Sequence, residues 1–176
     1  MKVTLGDSIE TIGYYEDVLS EELCELIIDE HLEKEDIFTS GVALEQEFVA
    51  KIYPHLEVVI NDLLKNYIKD CDINSFPDDF GLEPFHVKGY RDDGETPEQY
   101  QIDVGSHDMA RRFVGIFFML NELDEPGEIK FYRQNKSIKP KRGSVFIFPS
   151  LWTHPQLRIL PKTGTEWVMG TYLHYL

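Results

Sequence analysis

The run FVGIFFML, residues 113–120, has no polar side chain on either face. A segment apolar on both faces belongs in the middle of a sheet with another layer on each side. That feature predicts a central strand of a sandwich. The residues around it agree, since from Phe85 onward short apolar or alternating segments are broken by Gly, Pro, Asp and Asn. Strands are expected near 85–91, 98–104, 112–121, 127–133, 136–139, 143–149 and 166–175, with turns such as Asp92-Asp93-Gly94 and Glu125-Pro126-Gly127. Many short strands at this spacing predict a β-sandwich or jelly roll.

The earlier part of the chain has a different period. Residues 9–16 read as a short strand, after which Ser20 offers an N-cap to an acidic first turn, Glu21–Glu22. Leu23, Ile27 and Leu32, with Ile28 beside them, form a helical apolar stripe to about residue 34. Leu44, Phe48, Ile52, Leu56, Val59, Leu63 and Tyr67 recur at spacings of three and four, a longer helix that Pro54 is expected to kink or split. Residues 72–84, DINSFPDDFGLEP, read as the linker. The expectation is a single domain over 1–176, mostly β with N-terminal helices (α+β). Residues 1–71 would hold the first strand and supporting helices, packed on one outer face of a jelly-roll core at 84–176.

Charge narrows the partners. Residues 1–100 carry 7 Lys+Arg against 25 Asp+Glu, whereas residues 101–176 carry 10 against 7, and the whole chain is −15. An acidic surface disfavours nucleic acid. No run approaches 18 apolar residues, so no membrane span is expected. Met1 opens an acidic stretch with neither a basic nor an apolar signal region, which points to the cytoplasm. Cys24 and Cys71 form no CxxC and are read as reduced, packed thiols. Lys136, Lys139, Lys141 and Arg142 read as a solvated hairpin.

The stretch YQIDVGSHD, residues 100–108, is the polar entry to the central strand. In a strand, positions i and i+2 share a face, so Gln101 and Asp103 would project side by side. They are either half of a metal site or polar groups that satisfy each other. His107 joins Asp103 only if the strand bends sharply, and otherwise lies on the surface. His31, His55 and His86 read as surface or packing histidines. One member of Arg111-Arg112 is expected to point inward.

The order of segments resembles the prolyl-4-hydroxylase-like branch of the Fe(II)/2-oxoglutarate oxygenases, especially its small members in bacteria and phages. YEDVLSEELCELII is similar to that family's opening strand and helix, and HVKGYRDDGE to the strand carrying a cosubstrate-side tyrosine, here Tyr90. RRFVGIFFMLNE resembles its central strand and EPGEIKFY its Gly-Gly-Glu hairpin. KSIKPKRGSVFIFPS with WTHP resembles its Pro-Lys-x-Gly…Phe-Pro stretch, and EWVMGTYLHY its last core strand. The likeness spans about residues 10–176 and implies a double-stranded β-helix, a jelly roll of the cupin-like kind.

The resemblance also implies a cofactor set. That family holds iron with His-x-Asp and a distal His, leaving open positions for 2-oxoglutarate and O₂. A cation ten residues after the distal His pairs with the far carboxylate of 2-oxoglutarate. On this chain His-x-Asp falls on Gln101-Ile102-Asp103, the distal His on Gln156, and the cation on Glu166. A glutamine offers only a neutral amide oxygen in place of imidazole nitrogen. At about 4 Å and an effective dielectric near 20 a charge pair is worth roughly 4 kcal/mol, so reversing its sign swings about 8 kcal/mol before screening.

Two registers remain open. In the first, Asp103 is the residual ligand, Gln101 and Gln156 mark lost histidines, and Glu166 marks the lost cation. The chain is then a pseudoenzyme without the standard iron and 2-oxoglutarate, binding an unidentified protein or small molecule. In the second, shifted by two residues, His154 is the distal ligand, His107 joins Asp103, and Lys162 or Arg158 serves the cosubstrate. That register implies an active Fe(II)/2-oxoglutarate-dependent dioxygenase. A metal-free carbohydrate- or peptide-binding jelly roll is the third reading.

Overall fold

The structure is a computed structural model that describes residues 11–92, 100–125 and 127–176. Ten strands and two α-helices are seen among the described residues. They run β1 (Gly13–Tyr15), α1 (Glu21–His31), β2 (Val42–Ala43), α2 (Gln46–Asp70), β3 (Phe80–Leu82), β4 (His86–Tyr90), β5 (Arg112–Met119), β6 (Glu128–Phe131), β7 (Lys136–Ile138), β8 (Val145–Pro149), β9 (Gln156–Ile159) and β10 (Glu166–Tyr175). The larger sheet has the order β1-β8-β5-β10-β4-β2, with β3 also paired to β10, and the smaller has the order β7-β6-β9. All named pairings are antiparallel. This is the double-stranded β-helix expected from the sequence, with helices on one outer face.

Period-two alternation sorts the large sheet into two cores. Val87, Ile116, Phe118, Val145, Ile147, Met169 and Leu173 point to the helices and meet Ile27, Phe48, Ile52, Leu56, Ile60, Leu63 and Tyr67. Tyr14, Phe146, Phe148 and Val168 point the other way and meet Ile129, Phe131 and Ile138 of the small sheet. FVGIFFML supplies both cores, because β5 lies between β8 and β10. Its apolar character on both faces follows from having a layer on each side.

α1 begins as the sequence predicts, with the Ser20 hydroxyl accepting from the Leu23 N–H at 3.3 Å and Glu21 and Glu22 in the first turn. It ends at His31 rather than near residue 34. His31 is buried, with Nδ1 2.8 Å from the Ile27 carbonyl oxygen.

Several expectations change. α2 is one helix of 25 residues, with Pro54 inside it, and is not split. Pro54 lies on the exposed face, and an interior proline costs about 3 kcal/mol. The buried stripe from Phe48 to Tyr67 gains about 1.5–3 kcal/mol per large side chain, which outweighs one lost helix bond. The 72–84 segment is not all linker, because β3 within it pairs Phe80 with Tyr175 and Leu82 with Leu173. The strand expected at 98–104 is reduced to a single bridge at Gln101, while residues 93–99, including the Asp93-Gly94 turn, lie outside the described residues. Pro126 of the other named turn lies outside them too. Cys71 caps the end of α2, and neither cysteine is in a disulfide.

Candidate functional site

The mouth between the two sheets gathers polar side chains that the alternation sends inward. β10 directs Glu166, Val168, Gly170 and Tyr172 toward the small sheet. β4, paired with it at Glu166↔Tyr90 and Val168↔Lys88, directs Tyr90 and Lys88 the same way. From the small sheet β9 contributes Gln156 and Arg158, two residues apart and hence on one face.

Asp103 and Gln156 are brought together. The Gln156 side-chain amide donates to both carboxylate oxygens of Asp103, at 3.0 and 3.1 Å. The Tyr172 hydroxyl also donates to this carboxylate. Burial pushes the Asp103 carboxyl up from 3.8 to about 6, against the lowering effect of those hydrogen bonds and of Arg112 and Arg158 nearby. Gln101 is placed differently from the side-by-side expectation. Its backbone pairs with that of Gln156, N to O at 2.7 and 2.8 Å, while its side chain is exposed. An isolated bridge does not impose strand alternation on its neighbours, so positions 101 and 103 do not share a face.

Glu166 is buried, and its Oε2 accepts from Arg158 Nη1 at 2.5 Å. The Arg158 guanidinium also lies 4.3 Å from the centroid of the Tyr90 ring. The Glu166 carboxylate is therefore neutralised from β9. Oε1 of Glu166 is buried without a hydrogen-bond partner among the described residues. Burial raises the Tyr90 phenol above its ordinary value, with Arg158 acting the other way.

The residues of the second register are dispersed. His154 is buried, with Nε2 3.1 Å from Thr11 Oγ1 and Nδ1 2.9 Å from Thr153 Oγ1. Both ring nitrogens are engaged by hydroxyls, and burial lowers its pKa to about 4. His107 stands fully exposed on a 3₁₀ turn, 3.9 Å from Asp108. Lys162 is exposed and pairs with Glu125 at 3.5 Å. Of that set only Asp103 and Arg158 reach the mouth.

Among the described residues no group of three or more His, Cys, Asp or Glu could hold a metal ion. The donor set around Asp103 does not fit an Fe(II) triad. Its neighbours are an amide, a phenol and two guanidinium groups, none of which replaces an imidazole.

Alternation, carried one step further, reveals residues the sequence reading missed. Lys88 shares a face with Tyr90, and Tyr172 shares one with Glu166. Arg112 is the inward member of its pair, bound by Glu83 through Nε–Oε1 at 2.7 Å and Nη2–Oε2 at 2.6 Å. Its guanidinium lies 4.1 Å from the Tyr172 ring centroid. A cavity of about 250 Å³ opens among Lys88, Tyr90, Arg112, Phe117, Val168 and Tyr172. A larger groove of about 800 Å³ runs between α2 and residues 80–85, but no His, Cys, Lys or Arg lines it. The cationic side chains, with the phenols of Tyr90 and Tyr172, lie at the smaller cavity.

The fold is a double-stranded β-helix like that of prolyl-4-hydroxylases. The solved structures it resembles include a collagen prolyl hydroxylase, vCPH, of Paramecium bursaria Chlorella virus 1 in truncated form. Identity is 18% and the TM-score 0.68, over 95% of this chain and 91% of that one. The same viral enzyme in its 2OG complex gives 16% and 0.69, over 95% and 97%. A Pseudomonas putida prolyl-4-hydroxylase gives 13% and 0.57, over 95% and 94%. Likeness at these identities is likeness of fold. No family model matches the chain, and no curated protein matches it in sequence.

Proposed function

We propose that this chain is a non-catalytic binding protein on an oxygenase scaffold, without the standard iron and 2-oxoglutarate site. The observation that carries this reading is the engagement of Asp103 by the Gln156 amide, where the family's pattern has an imidazole beside the carboxylate. The Arg158–Glu166 pair adds to it, because the cosubstrate's cation position holds a carboxylate with its own internal counterion. An iron ion near Asp103 would also face Arg112 and Arg158, whose like charge opposes it.

The test is an anaerobic titration with Fe(II) and 2-oxoglutarate, monitored for the metal-to-cosubstrate charge-transfer band. No band and no retained iron are expected. A band at micromolar iron overturns the proposal and leaves the chain an active dioxygenase with a rearranged triad. The companion experiment is Gln156→His, which puts an imidazole beside Asp103 and is expected to raise iron affinity above that of the parent. A folded variant that binds no more iron than the parent would show that position 156 is not a ligand position.

A further inference from the structure

We propose that the outer edge of β3, with the groove between it and α2, takes an extended, positively charged segment of a partner protein as an added strand. The groove lies on the helix side of the large sheet, where Phe80, Leu82 and Phe85 pack. The proposal therefore goes beyond the reading of the mouth and does not depend on whether iron binds at Asp103.

The backbone is the first observation. Glu83 N donates to the Tyr172 carbonyl oxygen at 2.9 Å, and Gly81 stands opposite His174 in the same ladder. Hydrogen bonding alternates along an antiparallel strand, so Gly81 and Glu83 turn their backbone groups to β10. Phe80 and Leu82 turn theirs the other way. Further along the chain that outer edge is taken. β2 pairs with Val87, Leu44 N donates to the Phe85 carbonyl oxygen at 2.8 Å, and Gly89 N donates to that of Ile37 at 3.0 Å. Beside Phe80–Leu82 no second strand stands among the described residues. An edge of this kind pairs with an extended peptide through main-chain hydrogen bonds.

The groove supplies pockets for side chains. Buried Leu44, Ile60, Leu64 and Phe85 lie along its volume of about 800 Å³. A strand added to β3 sends every second side chain to the helix side, so apolar residues at alternate positions fit it. Pro54 adds a polar feature. It has no N–H, so the Ala50 carbonyl lacks its helix donor four residues on, and both residues line the groove. Charge selects the partner. Glu57, exposed on α2, lines the groove together with Glu83, and no Lys, Arg or His does. Asp78 and Asp79 lead into β3 and are exposed. A segment alternating apolar residues with Lys or Arg meets these carboxylates and the Ala50 carbonyl with opposite charge, whereas an acidic one is repelled.

The probe is a fluorescein-labelled hexapeptide of alternating valine and lysine, titrated into the full chain by anisotropy. Saturable binding is expected, weakened by added salt, and at least about tenfold tighter than for the valine–glutamate counterpart. Glu57→Lys, a change on an exposed helix face, is expected to lower affinity at least about fivefold. Methylating alternate backbone nitrogens of the peptide gives two forms, of which one is expected to bind and the other to fail, because only one set of amides faces β3. In the unsubstituted protein, exchange of the Phe80 and Leu82 amides is expected to slow on binding, read by hydrogen-exchange mass spectrometry. No binding up to millimolar peptide, equal binding of the glutamate form, or unaltered affinity in Glu57→Lys overturns the proposal. Equal binding of both methylated forms, or unchanged exchange at Phe80 and Leu82, overturns the added strand. A dimer in sedimentation that Glu57→Lys dissociates overturns the partner in favour of a second copy of this chain.

Discussion

The two faces of β10 contrast within one strand. Toward the helices it presents Met169 and Leu173, both fully buried in an apolar layer, with the buried Thr171 between them. Toward the small sheet it presents Glu166 and Tyr172, and between them Gly170, where a side chain would collide with the Phe117 ring packed against the backbone. One face packs on the helices and the other gathers polar side chains. The scaffold face is hydrophobic burial except at Thr171, whose hydroxyl donates to the Glu83 carbonyl oxygen at 2.7 Å, whereas on the cavity face the polar groups predominate and each requires a named partner.

That contrast can be broken from the scaffold side first. Phe118, fully buried against the helices, is expected to cost about 4 kcal/mol on change to alanine, measured by urea unfolding. On the cavity face Arg158→Met strands the Glu166 carboxylate and is expected to cost about 3 kcal/mol. Changing both, Arg158→Met with Glu166→Leu, is expected to recover most of that loss. Recovery separates a charge pair from simple packing, since a second cavity-side truncation would otherwise deepen the defect.

Asp103 gives a smaller, pH-dependent effect. A carboxyl raised from 3.8 to about 6 binds its proton more tightly in the folded state than in the unfolded chain. Its contribution to stability is therefore present in acid and is lost as the pH rises from about 4 through 6. Asp103→Asn is expected to stabilise the fold by on the order of 1–2 kcal/mol at pH 8 and to change little at pH 3, read from thermal midpoints. The smallest effect is at the N-cap of α1, where Ser20→Ala is expected to cost about 0.5–1 kcal/mol wherever the cavity residues stand.

Strands that span a whole layer were legible because their pattern is set by two cores. β5, β8 and β10 follow from apolar alternation, and β10 begins and ends where the sequence places it. β2, β3 and β9 were not read as strands, since two to four residues carry too little periodicity and their pairing comes from neighbours. The missing β9 had a consequence at the site. Once Gln156 and Arg158 are known to share a strand, both must reach the mouth together. Glu166 then gains a counterion that counting ten residues from position 156 could not supply. Gln101 was placed on a strand face by alternation, but a single bridge leaves its side chain in solvent.

The placement of β10 also dictates an order of assembly. It is the latest of the ten strands along the chain, yet it lies between β5 and β4 and holds β3 as well. During synthesis β4 and β5 emerge with no strand between them, each with an open edge. The pairing of Gly13 with Ile147 must likewise wait for most of the chain. Such non-local pairing slows folding and leaves strand edges open to other chains. The sheet that bears the cavity is therefore completed only when residues 166–175 insert, and the pocket is assembled in the same closing step.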